Sequence, residues 1–223
     1  MPVDAVLFDM QQLFRRDADE TDRLIALSDG VIAIAITLLV LEITVPTVPA
    51  GSSLSILPEL VMEQWDEFVG YVLSFLIIGL YWMLHRHVFV HIEQHDRGLL
   101  WLNLLFLLMV AFVPYGTSLF TTYPNQFGIS VYAGVLALTG LSLALLWNYA
   151  SRQDLLEEGL TSRIVLVQEA RFLASPLVFI LSIAVAAVDP TLAVLTWGLL
   201  LPINAMLQSR LVDSLEQASQ QPQ

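Results

Sequence analysis

Ionisable side chains stand inside long apolar stretches of this chain, where charge is costly. Arg23, Asp29 and Glu42 lie in or beside one apolar segment, and His85 lies near the end of the next. Because a charged group at membrane depth raises the free energy, each of these residues needs a physical reason to be there. One chemistry open to Asp29, Glu42 and His85 is a proton relay, which would make the chain a proton-coupled secondary transporter. The other is hydrogen bonding between helices, which fixes helix positions.

Three further histidines are spaced as neighbours on one helical face. His87, His91 and His95 lie at positions i, i+4 and i+8, so their imidazoles could face one metal ion. Three side chains in one row, however, cannot close around a single ion without ligands from elsewhere. A solvated helix face explains the spacing better, and we predict neither a metal ion nor a cofactor.

The chain that carries these residues is dominated by apolar side chains. Of its 223 residues, 57% are hydrophobic and 13% are charged, and the mean hydropathy is +0.72. These values exceed those of an ordinary soluble domain, which indicates an integral membrane protein. Cysteine is absent, so disulfides and thiol catalysis are excluded. No recognisable motif pairs a nucleophile with a base, and we predict that the protein is not an enzyme.

Six apolar segments are close to the length that a membrane-spanning helix requires. A hydrocarbon core roughly 30 Å thick needs about 20 residues in helical form. The segments are residues 24–45, 60–84, 99–120, 129–147, 172–188 and 191–207. Proline, asparagine and aspartate separate them, as expected of helix ends. The predicted fold class is therefore all-α, with six transmembrane helices.

The arginines occur on only one side of these six segments. They precede the first segment, follow the last, or lie in the second and fourth loops: Arg15, Arg16, Arg23, Arg86, Arg97, Arg152, Arg163, Arg171 and Arg210. Since basic residues in short loops stay in the cytoplasm, both termini are predicted to be cytoplasmic. The chain then divides into an acidic tail over 1–20, a transmembrane domain over 21–209 and a polar tail over 210–223. We expect a multi-pass protein of the cell membrane.

The overall charge favours cations and the lipid bilayer as partners. A net charge of −12, with nine arginines and no lysine, argues against nucleic acid, whose phosphates require clustered basic residues. The loops on the side without arginine contain acidic residues, namely Glu59, Glu63, Asp66, Glu67 and Asp189. Their field could raise the local cation concentration, although ordinary solvated loop charge explains them equally well.

The first segment has two different faces when it is drawn as a helix. At about 100° per residue, one face carries Gly30, Ile34, Thr37, Leu38, Leu41 and Val45. Asp29 points nearly the opposite way, so the two faces must have different neighbours. By periodicity alone, contact with lipid or packing in a core is the commoner explanation of such an apolar face.

The same helix resembles a known family of membrane proteins. Arg23-x-x-x-Leu27-Ser28-Asp29, followed by Gly-Val-x-Ala-Ile-x-Ile-Thr, is similar to the first-helix signature Arg-x-x-x-Phe-Ser-Asp of the transmembrane protein 175 potassium channels. The segments YWMLH at 81–85 and LLWLNLLF at 99–106 are also similar to that family. One position departs from the pattern, because Leu27 replaces the aromatic residue of the signature.

The resemblance implies a homotetramer that conducts potassium passively through a central pore lined by the first helix. Ile34, with Leu38 and Leu41 one and two turns further, would form the constriction, where apolar rings exclude water and act as a hydrophobic gate. Thr37 would supply a polar ring and a modest preference for potassium over sodium. The proton-coupled transporter remains the alternative.

The resemblance also implies an interhelical network behind the pore. Ser28 and Asp29 would bond to neighbouring helices of the same subunit, with Arg23 as a charge partner near the cytoplasmic end. His85 and Asn103 are polar groups in apolar helices that would bond across helices. The complete signature network is Arg23, Leu27, Ser28, Asp29, His85 and Asn103.

Overall fold

The computed structural model describes residues 3–157, 160, 162–200, 202–207 and 209, with side chains from Thr21 onwards within those ranges. Its helices are α1 Val3–Leu38, α2 Leu57–Glu63, α3 Trp65–Val90, α4 Arg97–Thr122, α5 Gln126–Arg152, α6 Ser162–Ala186 and α7 Pro190–Thr196. Short 3₁₀ turns cover Leu39–Glu42, Leu54–Ile56 and Trp197–Leu199. The predicted tail over 210–223 lies outside the described residues.

Six helical stretches of the described chain are long and apolar enough to cross a membrane. They are Thr21–Glu42, Trp65–Val90, Arg97–Thr122, Gln126–Arg152, Ser162–Ala186 and Pro190–Leu207. The predicted all-helical fold with six spans is therefore confirmed. The side on which the termini lie stays a prediction.

Two of the predicted spans begin elsewhere. The second span begins at Trp65 rather than at residue 60, because Leu57–Glu63 forms a separate short helix that ends at Gln64. The fifth span begins at Ser162 rather than at residue 172. The helix includes more polar residues before the apolar segment, so the hydropathy of the sequence marks only the apolar part of the helix and not its first turns.

The centre of the subunit is α5, which is the most buried span and packs extensively against α4 and α6. Aromatic side chains fill the space around it. Tyr132 is fully buried and stacks on Phe120 with 5.2 Å between ring centroids, while Trp197 meets both rings edge-on. The first and sixth spans are the least buried of the six. The core is therefore centred on α5, and α1 borders it through its contacts with α3 and α4.

Buried hydroxyl groups join the central helices. Tyr132 donates to Ser74 Oγ at 2.8 Å, and Ser74 in turn donates to Thr117 Oγ1 at 2.8 Å. Thr117 completes the chain by donating to the carbonyl oxygen of Val113 at 3.0 Å. Tyr81 makes a separate bond to the carbonyl oxygen of Leu136 at 2.7 Å. These bonds satisfy buried polar groups and tie α3, α4 and α5 together.

The α3–α4 and α5–α6 loops meet at one end of the bundle. Ile92 and Leu156 form an antiparallel backbone bridge, and Asp96 caps α4 by accepting from the Leu99 N–H at 2.8 Å. The Tyr149 hydroxyl donates to the second oxygen of Asp96 at 2.5 Å, and this bond holds the pKa of Asp96 below its usual range. A Cβ at Gly98 would collide with the Tyr149 hydroxyl, so a larger residue at position 98 would displace Tyr149 from its contact with Asp96.

Candidate functional site

One face of α1 packs inside the subunit. Ser28, Ile32, Ala35 and Leu39 are all at least 98% buried, and their spacing of three to four residues places them on one side of the helix. This side lies against α3 and α4, which are the helices that α1 contacts. The buried face therefore fixes how α1 is rotated about its own axis.

The predicted stripe lies on the other face and is uncovered. Ile34 is 60% exposed, Leu38 41% and Leu41 73%, so the described side chains of the subunit leave a large part of each uncovered. Gly30, one turn before Ile34, and Thr37, between Ile34 and Leu38, are exposed as well. A continuous apolar face of this size needs lipid or another polypeptide as its neighbour.

Thr37 is the polar member of that exposed face. Its hydroxyl donates to the carbonyl oxygen of Ile34, one turn earlier, at 2.8 Å. Because the proton points back along the helix, the lone pairs of the hydroxyl oxygen are directed away from it. Thr37 can therefore accept from water or coordinate a cation in front of the exposed face.

Behind the helix, three predicted network residues form one hydrogen-bonded chain. His85 Nε2 lies 2.8 Å from Asn103 Oδ1, and Asn103 Nδ2 donates to Ser28 Oγ at 3.0 Å. Ser28 also donates to the carbonyl oxygen of Leu24 at 2.9 Å. Since the amide oxygen accepts, His85 carries a proton on Nε2. The chain joins α3, α4 and α1, and all three side chains are buried.

Asp29 has a partner that the sequence did not indicate. The indole Nε1 of Trp82 donates to Asp29 Oδ1 at 2.7 Å, and the guanidinium carbon of Arg86 lies 5.9 Å from the centre of the Trp82 ring. Among the described side chains, Asp29 therefore bonds to Trp82 and not to Arg23, the partner expected from the sequence. Leu27 and Arg23 are exposed on the opposite side of α1.

The comparisons with known proteins match the part of the chain that carries this arrangement. The family model described as "Endosomal/lysosomal potassium channel TMEM175" matches residues 23–114. A potassium channel of Streptomyces collinus is 34% identical over 188 residues, which cover 82% of this chain and 90% of that relative. The chain belongs to the TMEM175 family. The family description is of an ion channel, as predicted, and not of an enzyme.

Two further TMEM175 relatives were matched, one a solved structure and one a vertebrate protein. The crystal structure of a lysosomal potassium-selective channel TMEM175 homologue from Chamaesiphon minutus has a TM-score of 0.70 at 28% identity. The structural match covers 84% of this chain and 97% of the Chamaesiphon minutus chain. A zebrafish (Danio rerio) protein named endosomal/lysosomal proton channel TMEM175 is 30% identical over 57% of this chain, but over only 24% of its own length.

The family match spans α1, α3 and most of α4, which are the helices that build both faces of the site. It begins at Arg23 of the first-helix signature and ends at Pro114, inside α4. The exposed face of α1 and the Ser28, His85 and Asn103 chain therefore lie within the TMEM175 segment. Sequence reasoning missed Trp82 as a partner, although it lies in the matched YWMLH segment.

The three histidines have different polar partners in the TMEM175 fold, although the rings of His87 and His91 pack edge-on with 4.9 Å between centroids. His91 Nδ1 lies 2.6 Å from Glu157, whereas His87 contacts Gln168. His95 Nδ1 lies 3.4 Å from Thr21 Oγ1. Each imidazole thus has a different polar partner, and no group of three metal-ligating side chains occurs among the described residues.

Proposed function

We propose that this TMEM175 chain is a subunit of a potassium-permeable channel of the cell membrane. Four copies would place the exposed faces of their α1 helices around a central axis. The observation that supports this most is the exposure of Ile34, Leu38 and Leu41 on a helix whose opposite face is buried. The potassium-channel names of the bacterial relatives support potassium as the permeating ion.

The pore would be closed by an apolar neck rather than by a carbonyl filter. Rings of Ile34, Leu38 and Leu41 would make a narrow apolar passage from which water withdraws. A cation entering this dry passage would have to give up its hydration shell, so conduction is blocked. Opening then requires α1 to rotate or move outwards until the neck is wet. Thr37, between Ile34 and Leu38, would offer four hydroxyl oxygens to a partly dehydrated cation.

The transporter alternative uses Asp29, Glu42 and His85, and the structure gives two of them, Asp29 and His85, hydrogen-bond partners in other helices. Asp29 and His85 are hydrogen-bonded to Trp82 and Asn103 on the side of α1 that faces away from the stripe. They therefore fit a positioning network better than a relay along the pore. The name of the zebrafish relative makes the proton a second candidate ion.

Flux measurements with purified protein in liposomes test this function. A channel gives potassium flux that varies linearly with the driving force and needs no counter-ion. Saturating uptake that strictly requires a proton gradient would support the transporter instead. Acidification under a pH gradient, without potassium, would identify a proton-permeable pore, and protein-free liposomes provide the background.

Replacing Thr37 by alanine is expected to weaken the preference for potassium over sodium. The substitution removes the only side-chain oxygen on the exposed face between Ile34 and Leu41. A threefold loss in the permeability ratio would move the reversal potential by ~28 mV towards zero in opposed potassium and sodium gradients. Thr139→Ala is the matched control, because Thr139 makes the same bond to its own helix at 2.8 Å but is buried in α5. An unchanged potential in Thr37→Ala would exclude Thr37 from selectivity.

A further inference from the structure

The segment that follows α1 is joined to α3 by a group of polar contacts. Regular α-helix ends at Leu38, a 3₁₀ turn follows to Glu42, and Ile43 is extended. Thr44 is the next residue. Its backbone N–H donates to Glu67 Oε2 at 3.0 Å, and its hydroxyl lies 3.4 Å from the same oxygen.

Gln64 completes this set of contacts from the start of α3. Its Nε2 donates to the carbonyl oxygen of Thr44 at 2.5 Å and to the Thr44 hydroxyl at 3.1 Å. The same Nε2 lies 3.4 Å from Glu67 Oε2. Gln64 and Glu67 are three residues apart at the N-terminus of one helix, so both reach Thr44 from the same side. Both backbone groups of Thr44 thus have side-chain partners on α3.

We propose that Glu67 is a positioning residue which, together with Gln64, holds the outer end of the pore helix through Thr44. The inference rests on the proposed function, because it concerns the helix that would line the pore. Leu39 packs inside the subunit and anchors the start of this turn, but Leu41, two residues further, is 73% exposed, so its own side chain gains little from packing within the subunit. The contacts at Thr44 are side-chain hydrogen bonds that join the chain to α3 three residues after Leu41. Glu67 therefore controls the outermost apolar ring without touching the ion.

This role differs from a general effect of acidic charge at the pore mouth. Glu67 is partly buried and one of its oxygens receives the Thr44 N–H, whereas Glu59 and Glu63 are exposed. A positioning role needs an acceptor atom and not a charge. Glutamine at position 67 retains a carbonyl oxygen for the Thr44 N–H, and alanine does not.

A single spin label tests the attachment without any measurement of current. The chain has no cysteine, so Val45→Cys gives one labelling site directly after Thr44. In bilayers, Glu67→Ala is expected to shift the label's spectrum towards a mobile component, and Glu67→Gln to restore most of the immobilised component. Gln64→Leu, which keeps Glu67, should lie between them. Glu63→Ala is the control, since it removes an equal charge from an exposed position. Unchanged mobility in Glu67→Ala and Gln64→Leu would overturn the proposal.

Current measurements on the same variants separate positioning from electrostatics. Loss of the attachment frees the Leu41 ring, so Glu67→Ala is expected to raise the basal current severalfold, while Glu67→Gln stays near the unmodified protein. Equal currents in Glu67→Ala and Glu67→Gln, both restored by high salt, would indicate a field effect and overturn the positioning role. If no variant conducts while label mobility still responds as expected, the proposed function fails but the attachment stands.

Discussion

Ile34→Asn is expected to raise the basal potassium current at least about tenfold. In the proposed tetramer, one substitution places four amides in the narrowest apolar ring, where each can hold water. Burying one isoleucine side chain is worth roughly 1.5–3 kcal/mol, and ~1.4 kcal/mol corresponds to a factor of ten in an equilibrium. If the substitution lowers the free energy of wetting the neck by the contribution of even one isoleucine side chain, the basal current rises about tenfold. Single-channel recording in a bilayer of defined salt measures it.

The control for this result is the same substitution on another exposed surface. Ile180 in α6 is 46% exposed, so Ile180→Asn introduces an amide at a similarly uncovered position outside α1. Its basal current is expected to match that of the unmodified channel. Wild-type current in Ile34→Asn, or an equal rise in both variants, would mean that the α1 stripe does not surround the pore.

The sequence predicted those features of the fold that follow from transfer free energy. Apolar length gave all six spans, and helical periodicity placed Ile34, Leu38 and Leu41 on one face that the structure leaves uncovered. Periodicity could not decide between lipid and a second copy of α1 as the neighbour of that face. The family resemblance supplied the tetramer, which remains a proposal.

Specific pairings could not be predicted, because they depend on how helices are rotated and offset. Asp29 meets Trp82 instead of Arg23, since α3 brings an indole N–H to the level of the carboxylate. Glu67 was recognisable only as one of several loop acids, yet its carboxylate accepts the backbone N–H of Thr44. Hydropathy describes how favourably a segment transfers from water into the membrane. It contains no information about which side chains of that segment contact which side chains of another helix.

Asn103→Leu is expected to destabilise the subunit more than any other single loss of a polar group in its network. Asn103 is 1% exposed and links His85 to Ser28, so leucine leaves the Nε2–H of His85 buried without an acceptor. An unsatisfied buried group costs roughly 1–3 kcal/mol. At about 2–4 °C per kcal/mol for a chain of this size, the thermal midpoint should fall by roughly 2–12 °C. Thr139→Val is the control, because it removes a buried hydroxyl that bonds only within its own helix.

A second substitution distinguishes an orphaned imidazole from a simple packing defect. His85 stacks on Phe106 with 5.0 Å between ring centroids, so phenylalanine can occupy its place among aromatic neighbours. The double variant His85→Phe with Asn103→Leu removes both polar partners, and Ser28 keeps its bond to the Leu24 carbonyl. The double variant is expected to melt higher than Asn103→Leu alone, since replacing both partners by apolar groups is nearly neutral. A midpoint at or below that of Asn103→Leu would show that the network does not act as a coupled unit. Because Ser28 is the point where this chain reaches α1, strong coupling would mean that the network sets the rotation of the exposed face as well as the stability of the fold.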